Sequence, residues 1–148
     1  MKNKILLISL IGVLLLTGCS KGYAEGIYTG SAVDNYGGQN YTATAIVTID
    51  SNGKITDVYL DTTYTKDGVE TTKKALGTDY GMYGNPYGSQ VGEWYQQVEA
   101  LEEAIVNSGG LDGIKLDSDG YTDTVSGCTI KIDALYEAVQ DALKQAQK

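Results

Sequence analysis

The run Asp123-Thr124-Val125-Ser126-Gly127-Cys128-Thr129 sets two hydroxyls around a glycine just ahead of a helix-like tail. Glycine lets backbone N–H groups approach an anion with no Cβ in the way. The chemistry open to such a run is the holding of a phosphate group. Three absences narrow how that can be done. With no His, imidazole bases and His-containing metal sites are excluded. With no Arg, no guanidinium can clamp a phosphate in two places, so Lys, hydroxyls and backbone N–H must serve. Only two cysteines are present, Cys19 and Cys128.

The element behind the run is a helix expected from about Asp133 to Ala146, with Leu135, Ala138, Val139, Ala142 and Leu143 on one face. Asp133 stands in its first turn and Lys144 and Lys148 at its end, as the helix dipole favours. The run thus feeds a helix N-terminus, where unpaired N–H groups suit a phosphate. A turn that merely starts a helix would read the same way. The loose pattern Asp-x-x-(Ser/Thr)-Gly-x-(Ser/Thr) arises by chance in roughly one in a hundred chains of this length. Its place before an amphipathic helix therefore carries more weight than the pattern itself.

A second helix follows from Val91, Trp94, Tyr95, Val98, Leu101 and Ile105 at helical spacing, with Glu93, Glu99, Glu102 and Glu103 off that stripe, and Asn107-Ser108-Gly109-Gly110 ends it. Ahead of it lies Tyr80-Gly81-Met82-Tyr83-Gly84-Asn85-Pro86-Tyr87-Gly88. This is either a wall for a flat aromatic ligand or an ordinary glycine-rich surface loop. The first half of the chain reads as strands: Gly26 to Ala32, then Tyr41 to Ile49, a hairpin turn at Asp50-Ser51-Asn52-Gly53, and Lys54 to Tyr64. The turn is not a calcium loop, since Tyr59 stands where a bidentate acid would be needed. Strands first and helices later predict an α+β fold, an antiparallel sheet packed on one face by two C-terminal helices.

The N-terminus predicts where the protein works. Lys2 and Lys4 precede the apolar run Ile5 to Leu16, which is too short to span a bilayer and suits a signal peptide. Leu16-Thr17-Gly18-Cys19 then resembles a bacterial lipobox, in which the cysteine is diacylated and becomes the new N-terminus. An ordinary secretory signal with an incidental cysteine is the plainer alternative. The expected organisation is a lipoprotein signal over residues 1–18, a short tether over 19–26 from a lipidated Cys19, and a single domain over 27–148. Two acyl chains give a stable anchor, so the domain is expected on the extracytoplasmic face of the cell membrane. With Cys19 acylated, Cys128 has no disulfide partner and is either a small buried residue or a reactive thiol. The chain carries −8; without Lys2 and Lys4, nine lysines face 19 acids, a net of −10. That balance argues against nucleic acid as a partner.

Asp123 to Thr129, with Ala134, Ala138, Val139, Ala142 and Leu143 behind it, resembles the FMN-binding domain family. Tyr80-Gly81-Met82 and Gly92 to Glu102 are similar to lipid-anchored flavoproteins of Gram-positive bacteria that act in extracellular electron transfer. The resemblance runs from about Gly22 to the C-terminus. It implies that an exported flavin transferase cleaves FAD and joins FMN to Thr129 through a phosphoester. It also implies an electron carrier between a membrane donor and an external acceptor, rather than an enzyme with a substrate of its own. Carried over by position, Gly127 admits the backbone to the phosphate, Ser126 can donate to it, and Asp123 orients the turn or meets the transferase. Tyr83, Tyr87, Trp94 and Tyr95 are the candidates to enclose the flavin ring, with one of Trp94 and Tyr95 expected in the core. Cys128 departs from the family, which has Ala there, and would put a thiol beside the flavin. Two other readings stay open: a surface lipoprotein binding FMN or another ligand non-covalently, and an interaction lipoprotein without flavin.

Overall fold

The computed structural model describes residues 22–86 and 88–148. The signal run, Cys19 and the start of the tether lie outside the described residues, as does Tyr87. Alternating Ala43, Ala45, Val47 and Ile49 give strand β2, Gln39–Ile49, one apolar face, and all four are buried. Strand β1, Gly26–Tyr36, pairs with it antiparallel, as does strand β3, Ile55–Lys66. Strand β4, Val69–Thr72, completes a sheet of order β1-β2-β3-β4.

Two differences from the sequence expectation have one cause. The first strand runs on past Ala32 to Tyr36, and β4 is an addition. β1 ends, and β4 begins, at a two-residue turn with positive φ at both central residues: Gly37 and Gly38 (60° and 77°), and Asp67 and Gly68 (52° and 79°). Such turns match the twist of paired strands and close hairpins tightly.

After β4 come a single helical turn α1, Lys73–Leu76, capped by the Thr72 hydroxyl, and a 3-10 turn, Gly77–Tyr80. The two long helices are α2, Trp94–Ser108, and α3, Asp133–Gln145. Helix α2 packs on β3, while α3 packs on β1 and β2. The core between them holds Val58, Leu60, Val98, Leu101, Ile105, Val139 and Leu143, all buried. Among the described residues, no helix is long and apolar enough to cross a membrane.

Helix α3 also covers the sheet edge. The Asp141 carboxylate accepts from the Ser31 N–H at 3.0 Å, and Gln145 Nε2 donates to the Thr29 carbonyl at 2.9 Å. These side chains occupy backbone groups that an edge strand would otherwise leave open. At the chain ends, the Ala24 N–H donates to the Ala146 carbonyl at 2.8 Å and Tyr23 pairs with Gln147. Part of the segment read as a tether is therefore docked on the domain.

Candidate functional site

Val125, Ser126, Gly127 and Cys128 form a reverse turn, closed by the Cys128 N–H donating to the Val125 carbonyl at 3.3 Å. Gly127, third in that turn, has φ of +81°, a conformation glycine adopts without strain. Val125 and Cys128 point into the core, so Ser126, Gly127 and Thr129 are left exposed. The sequence requires this alternation: apolar residues at 125, 128 and 130 anchor the segment from below. Asp123 is exposed just ahead of the turn.

Thr129 does not sit on the N-terminus of α3; it docks on α2. Its N–H and its Oγ1 both donate to Gln97 Oε1, at 2.8 and 3.0 Å. Gln97 is 1% exposed, and its Nε2 donates to Ser89 Oγ at 2.8 Å and to the Gly92 carbonyl at 2.9 Å. One amide thus ties together three segments: the Ser-Gly-Cys-Thr turn, the first turn of α2 and the loop before it. All its hydrogen-bonding capacity is used, and reversing the amide would set N–H against N–H. Gln97 is the site residue that sequence reasoning missed. The available signal was a polar side chain on the apolar stripe of α2, three residues after Trp94 and four before Leu101.

The Gly/Tyr-rich loop folds over the start of α2. Glu93, buried, accepts the Met82 N–H on Oε2 at 2.9 Å and the Tyr83 N–H on Oε1 at 3.0 Å. Glu93 and Gln96 also cap the helix reciprocally. The loop closes on itself through the Ser89 N–H to the Met82 carbonyl at 3.0 Å. Tyr83 is 59% exposed, while Trp94 is 4% exposed and belongs to the core, with Tyr95 half-buried beside it. Of Trp94 and Tyr95, Trp94 is the ring in the core, and Tyr83 is exposed.

Trp94 heads a ladder of rings. Its centroid lies 6.4 Å from Tyr80, which lies 5.2 Å from Tyr64, which lies 5.7 Å from Tyr41. Beyond it, a cavity of about 470 Å³ is lined by Tyr41, Tyr64, Asn40 and Glu70 among others. No Thr129 contact reaches that cavity; the turn and the cavity are separate features.

The arrangement presents an alcohol on an exposed residue whose hydroxyl, among the described residues, donates to an amide oxygen and not to a base. Gln97 Oε1 is an amide oxygen and cannot take the Thr129 proton. Cys128 is 2% exposed, and burial pushes its thiol pKa up, against a smaller opposing effect of the Ile130 N–H. Thiolate is the reactive form, so this cysteine behaves as a small apolar residue. In the folded protein Cys128 is expected to resist DTNB at pH 8 and to react fully only in denaturant, which a timed thiol assay checks. Removing the Gln97 amide orphans the Gly92 carbonyl and frees Thr129. Gln97→Ala is expected to cost about 1–3 kcal/mol, read as a lower urea midpoint.

The family model described as FMN-binding domain matches residues 36–144. No curated protein and no solved structure matches the chain.

Proposed function

The chain belongs to the FMN-binding domain family, and on that premise we propose that it carries FMN covalently on Thr129 and works as a lipid-anchored electron carrier outside the cell. The observation that carries the proposal is Thr129: an exposed residue at the end of a glycine turn, whose N–H and hydroxyl each donate one hydrogen bond to buried Gln97. The residues present fit a flavin phosphate. Gly127 leaves the approach open, since a Cβ there would meet nothing nearer than the Ala100 Cβ at 3.8 Å. Ser126 is exposed and free to donate to a phosphate oxygen. Bound FMN supplies the redox chemistry, and the protein supplies position and electrostatics.

Attachment requires a second protein. Thr129 Oγ1 forms a bond to the FMN phosphorus while the pyrophosphate bond of FAD breaks and AMP leaves. The hydroxyl proton must pass to a base, which a flavin transferase has to provide, because Gln97 cannot. Esterification also removes the proton that Oγ1 donates to Gln97, while the Thr129 N–H keeps its bond. The platform is thus designed to survive modification: one of two hydrogen bonds persists. Tyr83, exposed above the first turn of α2, is the ring offered to the flavin; Trp94 backs the wall from inside. Buried Cys128 fills the place of a small residue and takes no part in electron transfer.

The lipobox-like Leu16-Thr17-Gly18-Cys19 supports anchoring on the outer membrane face through a diacylated Cys19. A membrane electron donor and an external acceptor are the partners this reading calls for. Peptide mapping of the protein coexpressed with a flavin transferase tests the attachment residue. Fragment masses should carry the flavin phosphate on Thr129; a label on Ser126 or Thr124 would overturn the assignment.

A further inference from the structure

The chain enters the domain beside one end of α2 and offers Thr129 beside the other. At the entry, the Ala24 N–H is bonded to the Ala146 carbonyl and Tyr23 pairs with Gln147. Tyr23 also meets two loops. A Cβ on Gly53, in the turn after β2, would stand 2.9 Å from the Tyr23 carbonyl oxygen. A Cβ on Gly110, just past the C-cap of α2, would stand 3.7 Å from the Tyr23 hydroxyl. Gly22 follows Cys19 by three residues, a reach of about 10 Å at full extension. A lipid on Cys19 thus keeps the Tyr23 end of the domain close to the bilayer.

The Thr129 turn lies far from that end. Thr129 is bonded to Gln97 in the first turn of α2, and the helix runs on to its C-cap at Gly109. The span from Gln97 to Gly109 covers about 18 Å along the helix axis. The turn also belongs to the helical layer, where Gly127 comes against Ala100 of α2. The open face of the sheet, with exposed Ile27, Val33 and Ile46, is on the other side. A domain resting on its Tyr23 end or on that open face therefore keeps Thr129 off the lipid. Only the helical flanks would bring it down, and they carry exposed Glu99 and Glu103 on α2, Glu137 and Asp141 on α3, and Asp123 before the turn. An anionic lipid surface repels such carboxylates.

We propose that the anchored domain meets the bilayer with its Tyr23 end and holds Thr129 at the far end of α2, facing water. This rests on the reading of Cys19 as the lipid anchor. The proteins that meet Thr129, the flavin transferase and the redox partners of the loaded chain, then approach from the aqueous side. A donor rooted in the membrane has to reach out past the anchored end of this domain.

The test uses the full acylated chain, produced without a flavin transferase, in phosphatidylcholine–phosphatidylglycerol vesicles with nitroxide on the lipid headgroups. Intact mass first establishes a diacylated Cys19. A short-linker fluorophore is placed by Ser51→Cys, in the turn that carries Gly53, or by Ser126→Cys, beside Thr129. Both positions are exposed, and a Cys128→Ala background leaves one reactive thiol in each protein. Nitroxide quenches only at short range, so the label at position 51 should lose a severalfold larger share of its emission than the label at 126. Equal quenching, or stronger quenching at 126, overturns the proposal. If Ser126→Cys fails to fold, exposed Asp123→Cys takes its place with the same two outcomes. Equal quenching on an acylated chain removes the orientation and leaves the anchor standing. A mass without acyl chains removes the anchor, and this inference with it.

Discussion

Thr129→Ala is expected to abolish covalent flavin while leaving the fold intact. In a denaturing gel of protein coexpressed with a flavin transferase, the fluorescent band should vanish completely. The reason is chemical: alanine has no oxygen to carry the phosphoester. The structural cost is small, because the Thr129 N–H keeps its bond to Gln97 and only the hydroxyl's bond is lost. That amounts to about 0.5–1.5 kcal/mol. Thr129→Ser should retain the band, and Ser126→Ala should retain it too, since Ser126 assists at most one phosphate oxygen. A fluorescent Thr129→Ala band would move the attachment to another hydroxyl. A missing band in Thr129→Ser would make the γ-methyl, and with it the transferase's fit, part of the requirement.

Gly30→Val should have the largest effect on stability. Gly30 lies on β1 opposite Ala45, under α3, and it is buried. A Cβ there would stand 2.1 Å from the Ala138 carbonyl oxygen and 2.3 Å from the Ala142 nitrogen. Both are backbone atoms of a helix, so no rotamer change relieves the clash. The helix must back away from Gly30, and Ala138, Val139 and Ala142 lose their packing together. Overpacking of this kind costs about 1–3 kcal/mol where side chains can adjust; with backbone on both sides, a loss of about 4 kcal/mol or more is expected. Domains of this size carry about 5–15 kcal/mol in all, so much of the stability would go. Urea unfolding followed by circular dichroism checks it, and a loss under about 1 kcal/mol would show that α3 sits less tightly on β1 than described.

Much of the fold was legible because it is written in local patterns. The alternation from Tyr41 to Ile49 marks β2, and Asp50 confirms the turn after it by accepting the Asn52 and Lys54 N–H groups at 2.9 Å each. The stripes of α2 and α3 were plain from spacing alone. The missed parts divide into two kinds. The Gly37-Gly38 and Asp67-Gly68 turns carry a strong hairpin signal that predicts both the longer β1 and β4. The close packing of α3 on Gly30 carries none, since a lone glycine in a strand does not name the helix above it.

The site was legible in its chemistry and not in its support. The Ser-Gly-Cys-Thr turn stands where an exposed hydroxyl is offered, but its sequence position pointed to the N-terminus of α3. The turn goes instead to Gln97, 32 residues earlier, because the buried amide there needs partners. Contacts of that separation have no local signature. The same holds for Lys73, whose buried pairing with Asp34 joins residues 39 apart. A lysine beside a second lysine reads as solvated surface until the rings of Tyr36, Tyr80 and Trp94 are seen around it.

The central claim is a covalent flavin on this chain, and intact mass under denaturing conditions measures it directly. The protein is produced with and without a flavin transferase and its mass compared. A gain of one FMN joined with loss of water, only in the presence of the transferase, is the predicted result. An unchanged mass beside an active transferase, shown active on a second substrate protein in the same cells, would contradict it and leave FMN binding without a covalent bond.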